Sequence, residues 1–292
     1  MWMSDEENIG GQILAAAARI ARVTTSTENA GRIIMATGRG GTGKSTFVAL
    51  LTRYLKPPLL LLDIDPDQSL AAMLGVDLES ASIKTDIGRE VPVKTLSDLT
   101  GDIEDEDAFA ELGGGPSFVK IPLLLQWYTQ YHSEKYDLIS LGPKWTYGDY
   151  RSANFLFEFA IPSIGQNYTN ILVDSPAGLE HLNRRVVSRV DDLFIVIDPS
   201  RKSMAHLERV KKITARVGTT YERLFLVGNH EFDAESERYL EETGETYLGR
   251  MEYDADLKRY NLQGRSLLDL PDDSPACASV RRIAVRAGYE VG

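Results

Sequence analysis

The sequence predicts a doubly wound α/β fold, in which helices cover both faces of a mostly parallel sheet. Short, solidly apolar runs recur along the chain and alternate with helical patterns. Strands that are buried on both faces of a parallel sheet have this continuous apolar character. A glycine-rich segment also stands between the first apolar run and a helix. That order of strand, loop and helix is typical of α/β proteins that bind phosphate.

The predicted elements follow one another along residues 31–292, which we expect to form one domain. The first strand is predicted at residues 32–35, and a helix over 45–54 follows the glycine-rich loop. Further strands are predicted at residues 59–63, 136–141, 170–174, 193–198 and 224–228, with helical segments between most of them.

Two stretches do not follow this alternation of strands and helices. Residues 1–30 precede the domain and place apolar side chains on one helical face. They predict a helical extension that packs on the domain, or else a helix for a membrane surface or a partner. Residues 75–132 predict an insertion after the second strand, and its acidic run at 102–107 is typical of a solvated loop. The sequence leaves open whether this insertion is a lid or a partner surface.

The composition excludes several classes of protein. Lys and Arg number 32 against 43 Asp and Glu, for a net charge of −11. This balance argues against broad nucleic-acid binding, which depends on neutralising phosphates. A single cysteine, Cys277, excludes an intrachain disulfide framework and a zinc site built from several cysteines. No apolar stretch is long enough for a membrane span, and the start of the chain is acidic. We therefore expect a cytoplasmic protein.

The glycine-rich segment matches the phosphate-loop pattern G-x-x-x-x-G-K-[ST] in full. Its glycines let backbone N–H groups turn toward phosphate oxygens, and the following helix adds a partial positive charge. Lys44 can reach the β- and γ-phosphates, and the Ser45 hydroxyl can ligate Mg²⁺. The residues predicted to bind the nucleotide here are Gly38, Arg39, Gly40, Gly41, Thr42, Gly43, Lys44, Ser45 and Thr46.

This loop resembles the deviant Walker A loop of the MinD and ParA ATPases, the nitrogenase iron protein and related maturation ATPases. In that family a signature lysine reaches the nucleotide of the partner subunit in an ATP-bound dimer. The equivalent position here is Arg39, which keeps the positive charge and adds a planar fork suited to phosphate. The resemblance therefore implies ATP binding, a homodimer in the ATP state, and a role for Arg39 across that dimer.

Three further positions match the family. The segment 63–67 resembles its first switch, which would place Asp65 near Mg²⁺ and the attacking water, while Asp67 suits a helix cap. Residues 171–178 resemble the Walker B strand and second switch, so that Asp174 would hold Mg²⁺. Asn229 matches an asparagine that hydrogen-bonds adenine, and residues 251–254 resemble a segment that closes over the base. His230 is either a surface residue or a neighbour of that base.

Several segments resemble one branch, the accessory ATPases that help insert nickel into carbon monoxide dehydrogenase. They are residues 179–185, 198–201, 261–267 and 270–276. That branch binds metal through a Cys-x-Cys pair, and Asp149 and Arg151 stand at the matching positions here. This pair does not replace two thiolates, so nickel binding is not expected. One cysteine per subunit likewise excludes a [4Fe–4S] cluster shared by a dimer.

The sequence thus predicts an ATPase whose cofactors are ATP and Mg²⁺. Lys44, Asp65 and Arg39 are the predicted catalytic residues, and Ser45, Asp65 and Asp174 the predicted metal ligands. The expected role is a maturation or activation factor that docks on a client such as a metalloenzyme. The alternative is a spatial organiser of the MinD or ParA type. The basic C-terminal residues 279–286 would then bind a membrane or DNA, or else form the last helix of the fold.

Overall fold

The computed structural model describes residues 31–84, 90–93, 95–101, 130–142, 161, 164–177, 189–217 and 219–291. The predicted N-terminal helix and the acidic run at 102–107 lie outside these residues. Within them, no helix has the length and apolar character needed to span a membrane.

Ten strands occur in the described part of the chain. In chain order they are β1 Arg32–Gly38, β2 Leu59–Asp63, β3 Ser82–Lys84, β4 Glu90–Pro92, β5 Gln130–His132, β6 Tyr136–Ser140, β7 Asn170–Asp174, β8 Arg189–Ile197, β9 Thr220–Gly228 and β10 Thr246–Arg250. Eight of them form one sheet in the order β10-β9-β8-β1-β7-β2-β6-β5, and β3 pairs with β4 separately. All neighbours in the large sheet are parallel except β5 and β6. The predicted fold class is confirmed.

Helices cover both faces of this sheet. They are α1 Lys44–Thr52, α2 Ser69–Met73, α3 Leu96–Gly101, α4 Arg201–Val217, α5 Ala234–Glu241, α6 Ala255–Leu262 and α7 Pro275–Arg286. Because side chains alternate along a strand, β1 contributes to two cores. Ile34 lies in the core that also contains residues of α1 and α7, and Ile33 lies in the core that also contains residues of α4.

Three strands begin or end outside their predicted bounds. β1 continues to Gly38, beyond the predicted end at residue 35, and pairs with β8 as far as Val196. β8 begins at Arg189, although the apolar pattern starts at residue 193. The prediction missed its first residues because Asp191 and Asp192, although buried, are not apolar. β9 likewise begins at Thr220, before the predicted residue 224.

Part of the predicted insertion belongs to the main body of the fold. β5 adds an antiparallel edge strand to the sheet, and Leu96 at the start of α3 is fully buried in the same core as α4. The boundaries 75–132 for the insertion remain a prediction.

A buried ion network ties the C-terminus to the middle of the sheet. The fully buried Asp192 carboxylate on β8 accepts hydrogen bonds from Arg32 Nε and Arg223 Nε, each at 2.6 Å. The Tyr289 hydroxyl also donates to it. Burial alone would raise the pKa of Asp192, but these three donors hold it below its ordinary value. The network stabilises the sheet near the amino-terminal ends of β1, β8 and β9. The carboxyl-terminal ends of these strands are left for the functional site.

Candidate functional site

The phosphate loop lies where β1 ends between β7 and β8, at the carboxyl edge of the sheet. Crevices at this edge are the usual ligand sites of open parallel sheets. Gly38 has a φ of +155°, and a Cβ there would lie 2.3 Å from the carbonyl oxygen of Val196. Gly43 has a φ of +93° and immediately precedes α1. Both positions therefore require glycine, which lets the loop turn directly into the helix.

Lys44 lies in the first turn of α1, and its side chain folds over the loop. Its Nζ donates a hydrogen bond to the carbonyl oxygen of Arg39 at 3.1 Å, and the residue is buried. Burial lowers the pKa of Lys44, whereas the negative charges of Asp174 and Asp65 oppose that effect. The structure thus brings the predicted lysine and both predicted carboxylates into electrostatic contact. A cation so placed can neutralise a phosphate charge.

Asp174 ends β7, beside the phosphate loop, in the position expected for a magnesium ligand. Burial raises the pKa of Asp174 to about 7, while the neighbouring Ser45 hydroxyl and Lys44 lower it. Neither carboxylate oxygen has hydrogen-bond geometry to a partner, although both are buried. Orphaned buried carboxylate oxygens are costly unless a ligand satisfies them, and Mg²⁺ prefers such oxygens. Asp174 and Ser45 therefore fit the predicted cation.

A larger cluster of metal-ligating side chains around Asp174 is not found in the described part of the chain. Among the described residues, no three His, Cys, Asp or Glu side chains are grouped closely enough to hold a metal ion. Mg²⁺ usually keeps several waters and takes only one or two carboxylates together with substrate phosphates.

Asp63 has a structural role that the sequence does not indicate. It lies on β2 directly beside Asp174 on β7, and its Oδ2 accepts N–H bonds from Leu70 at 3.1 Å and Ala71 at 3.3 Å. Burial, and then the charge of Asp174, raise the pKa of Asp63 well above its ordinary value. Asp63 therefore fixes the start of α2 to the sheet.

The expected capping role of Asp67 is wrong. Gln68 occupies the N-cap position of α2 and its own side chain makes no capping hydrogen bond, while Asp63 accepts the N–H groups of the first turn. The Oδ1 atom of Asp65 instead accepts the Asp67 N–H at 3.1 Å, so the two aspartates form a turn of their own. This turn holds the half-buried Asp65 carboxylate on the Lys44 side of the site.

Arg39 is engaged within its own subunit. Its Nη1 donates to Asp198 Oδ2 and to Ser200 Oγ, each at 3.2 Å. About a third of the Arg39 side chain is exposed. Both partners lie on the loop that follows β8, which the sequence marks only by resemblance.

A cavity of about 380 Å³ opens beside the phosphate loop. Its walls come from the phosphate loop, α1, the turn after β9, the segment from the end of β10 into α6, and the start of α7. The rings of His230 and Tyr253 lie at its border, with centroids 5.9 Å apart. The cavity is lined by Gly41, Thr42, Gly43, Thr46, Leu50, His230, Met251, Glu252, Tyr253, Asp254, Leu257, Lys258 and Ala276. An aromatic and apolar cavity next to a phosphate cradle has the character of a base pocket.

Asn229 lies at the end of β9, just before His230, and is buried. Its Oδ1 accepts the Glu231 N–H at 3.0 Å, which fixes the amide and leaves its NH₂ group as the donor. Asp254 stabilises the far wall, because its carboxylate accepts N–H bonds from both Asp256 and Ala276. The resemblance places Tyr253 within a segment that closes over the base and leaves His230 either at the surface or beside the base; in the structure both rings border this pocket.

Several predicted positions lie outside the described residues. These are Gly178 of the second switch, residues 179–185, and Asp149 with Arg151.

Comparison with known proteins agrees with this fold. The family model of the CobQ/CobB/MinD/ParA nucleotide binding domain matches residues 33–267. An uncharacterized ATP-binding protein of Methanocaldococcus jannaschii is 27% identical over 258 residues, covering 86% of this chain and 96% of that protein. The carbon monoxide dehydrogenase accessory protein CooC of Rhodospirillum rubrum is 26% identical over 255 residues, covering 84% of this chain and 91% of CooC.

A solved structure, the MinD cell division protein of Aquifex aeolicus, has the same fold. It superposes with a TM-score of 0.60 at 19% identity and covers 88% of this chain and 97% of MinD. The family model spans most of the chain, including the phosphate loop, Asp174 and Asn229. The chain therefore belongs to the CobQ/CobB/MinD/ParA family of nucleotide-binding domains.

Proposed function

We propose that the protein hydrolyses ATP slowly in a Mg²⁺-dependent reaction at this site. The observation that carries the proposal is the buried Asp174 carboxylate, whose oxygens lack good hydrogen-bond geometry to any partner and which stands beside Ser45, Lys44 and a complete phosphate loop. The Mg-ADP complex of MinD from Pyrococcus horikoshii has the same fold, with a TM-score of 0.58.

Each residue has a defined task in this proposal. The loop N–H groups and the start of α1 bind the phosphates, and Lys44 leaves the Arg39 carbonyl to neutralise their charge. Ser45 and Asp174 hold Mg²⁺, which supplies charge neutralisation when bound. Asp65 orients the attacking water. Asn229 donates to the base within the pocket bordered by His230 and Tyr253.

We further propose that ATP assembles two copies of this chain into a dimer that acts as a maturation or activation factor. The support is the similarity to CooC, which covers 84% of this chain and 91% of CooC. The client is a metalloenzyme or another cofactor protein. Since Asp149 and Arg151 replace the thiolate pair of that branch, the protein is expected to act without carrying nickel.

The spatial-organiser alternative would need a surface for a membrane or DNA. The basic C-terminal helix α7 was one candidate for it. In the structure its apolar side packs into the core that also contains residues of α1, where Cys277, Val280 and Ile283 are fully buried. This apolar side is therefore not available to insert into a lipid surface.

The proposed function is tested by phosphate release from ATP with and without Mg²⁺, together with metal analysis of the purified protein. We expect slow, Mg²⁺-dependent release and no stoichiometric nickel or zinc. Bound transition metal would instead support a metal-carrying role. Hydrolysis that is indifferent to Mg²⁺ would contradict the role given to Asp174.

A further inference from the structure

The loop after β8, residues 198–200, contacts the phosphate loop directly. β8 pairs with β1, and Val196 stands opposite Gly38, so the two strands end side by side. This places Asp198 and Ser200 within hydrogen-bond distance of Arg39, 159 and 161 residues away in the chain.

This loop is organised as an acceptor independently of Arg39. The other oxygen of Asp198, Oδ1, accepts the Ser200 N–H at 3.0 Å. Ser200 Oγ in turn accepts the Ser203 N–H from the first turn of α4 at 3.2 Å. Backbone donors therefore orient both acceptors before the guanidinium binds. The oxygens of Asp198 and Ser200 are thus oriented to bind a cation at this position.

We propose that Asp198 and Ser200 are positioning residues that hold Arg39 in its own subunit until the ATP-bound dimer forms. The inference rests on the ATP-dependent dimer of the proposed function, and on the role across that dimer that the sequence resemblance implies for Arg39. Arg39 Nη1 makes both contacts, so reaching a partner's nucleotide requires breaking them. About a third of the Arg39 side chain is exposed, which makes the exchange sterically open.

The size of the effect follows from the exposure of this pair. A partly exposed ion pair changes an equilibrium constant by about two- to fivefold. A symmetric dimer releases two such contacts, so the factor is squared. Weakening the contact should therefore tighten ATP-dependent dimerisation by about 4- to 25-fold.

The decisive variant is Asp198→Asn, because asparagine keeps an oxygen for the Ser200 N–H while it removes the charge. Sedimentation equilibrium with Mg²⁺ and a non-hydrolysable ATP analogue would compare the wild type, D198N, R39A and R39A/D198N. We expect D198N to dimerise about 4- to 25-fold more tightly than the wild type and to be unchanged in ADP. In the R39A background D198N should have no effect, because no guanidinium is left to release. Ser200→Ala should shift dimerisation in the same direction by less.

Three results would overturn the inference. They are an unchanged or weaker dimer in D198N, an equal shift in the R39A background, and weaker binding of the nucleotide to the D198N monomer. The second would show a general disturbance of the loop, and the third would mean that Arg39 serves its own nucleotide. A wild-type protein that does not dimerise with ATP would remove the dimer cycle and this inference together.

Discussion

Replacing Asp174 with asparagine should stabilise the nucleotide-free protein while it abolishes Mg²⁺-dependent hydrolysis. Both carboxylate oxygens are buried without good hydrogen-bond geometry, and burial raises the pKa to about 7 from an ordinary value of 3.8 although Ser45 and Lys44 oppose it. Between these pH values the folded protein retains a proton that the unfolded chain releases. The contribution of protonated Asp174 to the free energy of unfolding is therefore fully present below pH 3.8 and is lost as the pH rises through about 7.

The size of this destabilisation follows from the difference between the two pKa values. Each pKa unit corresponds to about 1.4 kcal/mol, so ionised Asp174 destabilises the apo protein at pH 8 by up to about 4 kcal/mol. Asparagine avoids this charge and also relieves Asp63, whose pKa the Asp174 charge raises. A gain of a few kcal/mol corresponds to a Tm increase of roughly 5 to 10 °C for a domain of this size.

The assay is thermal unfolding of both proteins without nucleotide or metal, at several pH values from 5 to 8. We expect the gain in D174N to be largest at pH 8 and to shrink as the pH falls. Asp192→Asn is the matched control on the same sheet, because Asp192 is equally buried but has three donors. It should lose about 1 to 3 kcal/mol. A D174N protein less stable than the wild type at pH 8, or a gain independent of pH, would refute this reasoning.

Three further predictions concern the same site. Lys44→Ala should reduce phosphate release at least about 100-fold, since the charge that stabilises the phosphates is lost; near-normal turnover would contradict its role. Asn229→Ala should weaken ATP binding about 5- to 10-fold in calorimetry, through loss of one buried hydrogen bond, and an unchanged Kd would exclude contact with the base. Burial, and then the charges of Lys44, Arg209 and Arg39, lower the pKa of His206. In urea denaturation, the free energy of unfolding should therefore fall less in His206→Leu than in the wild type as the pH drops below about 6.5. An unchanged pH dependence would count against this prediction.

The parts of the fold and site that depend on local sequence could be predicted. The phosphate loop is one example, because its glycines, Lys44 and Ser45 are consecutive and the flanking strand and helix are short-range patterns. β2 is another, since a strand covered on both faces must be continuously apolar.

The parts that depend on long-range contacts could not be predicted. Asp192 interrupts the apolar pattern of β8, and a carboxylate inside the sheet is explained by its contacts with Arg32, 160 residues away, Arg223 and Tyr289. Asp63 is the last residue of an apolar strand, and its role in fixing α2 depends on where that helix packs. The contact of Arg39 with Asp198 likewise requires β8 to lie beside β1.

The most direct test of the whole account is light scattering of the purified protein with ADP, with ATP, and with ATP plus Mg²⁺, alongside the K44A variant. We predict a monomer in ADP, a dimer only when ATP and Mg²⁺ are both present, and no dimer in K44A under any condition. An oligomeric state that does not change with the nucleotide, or a K44A variant that dimerises like the wild type, would contradict it.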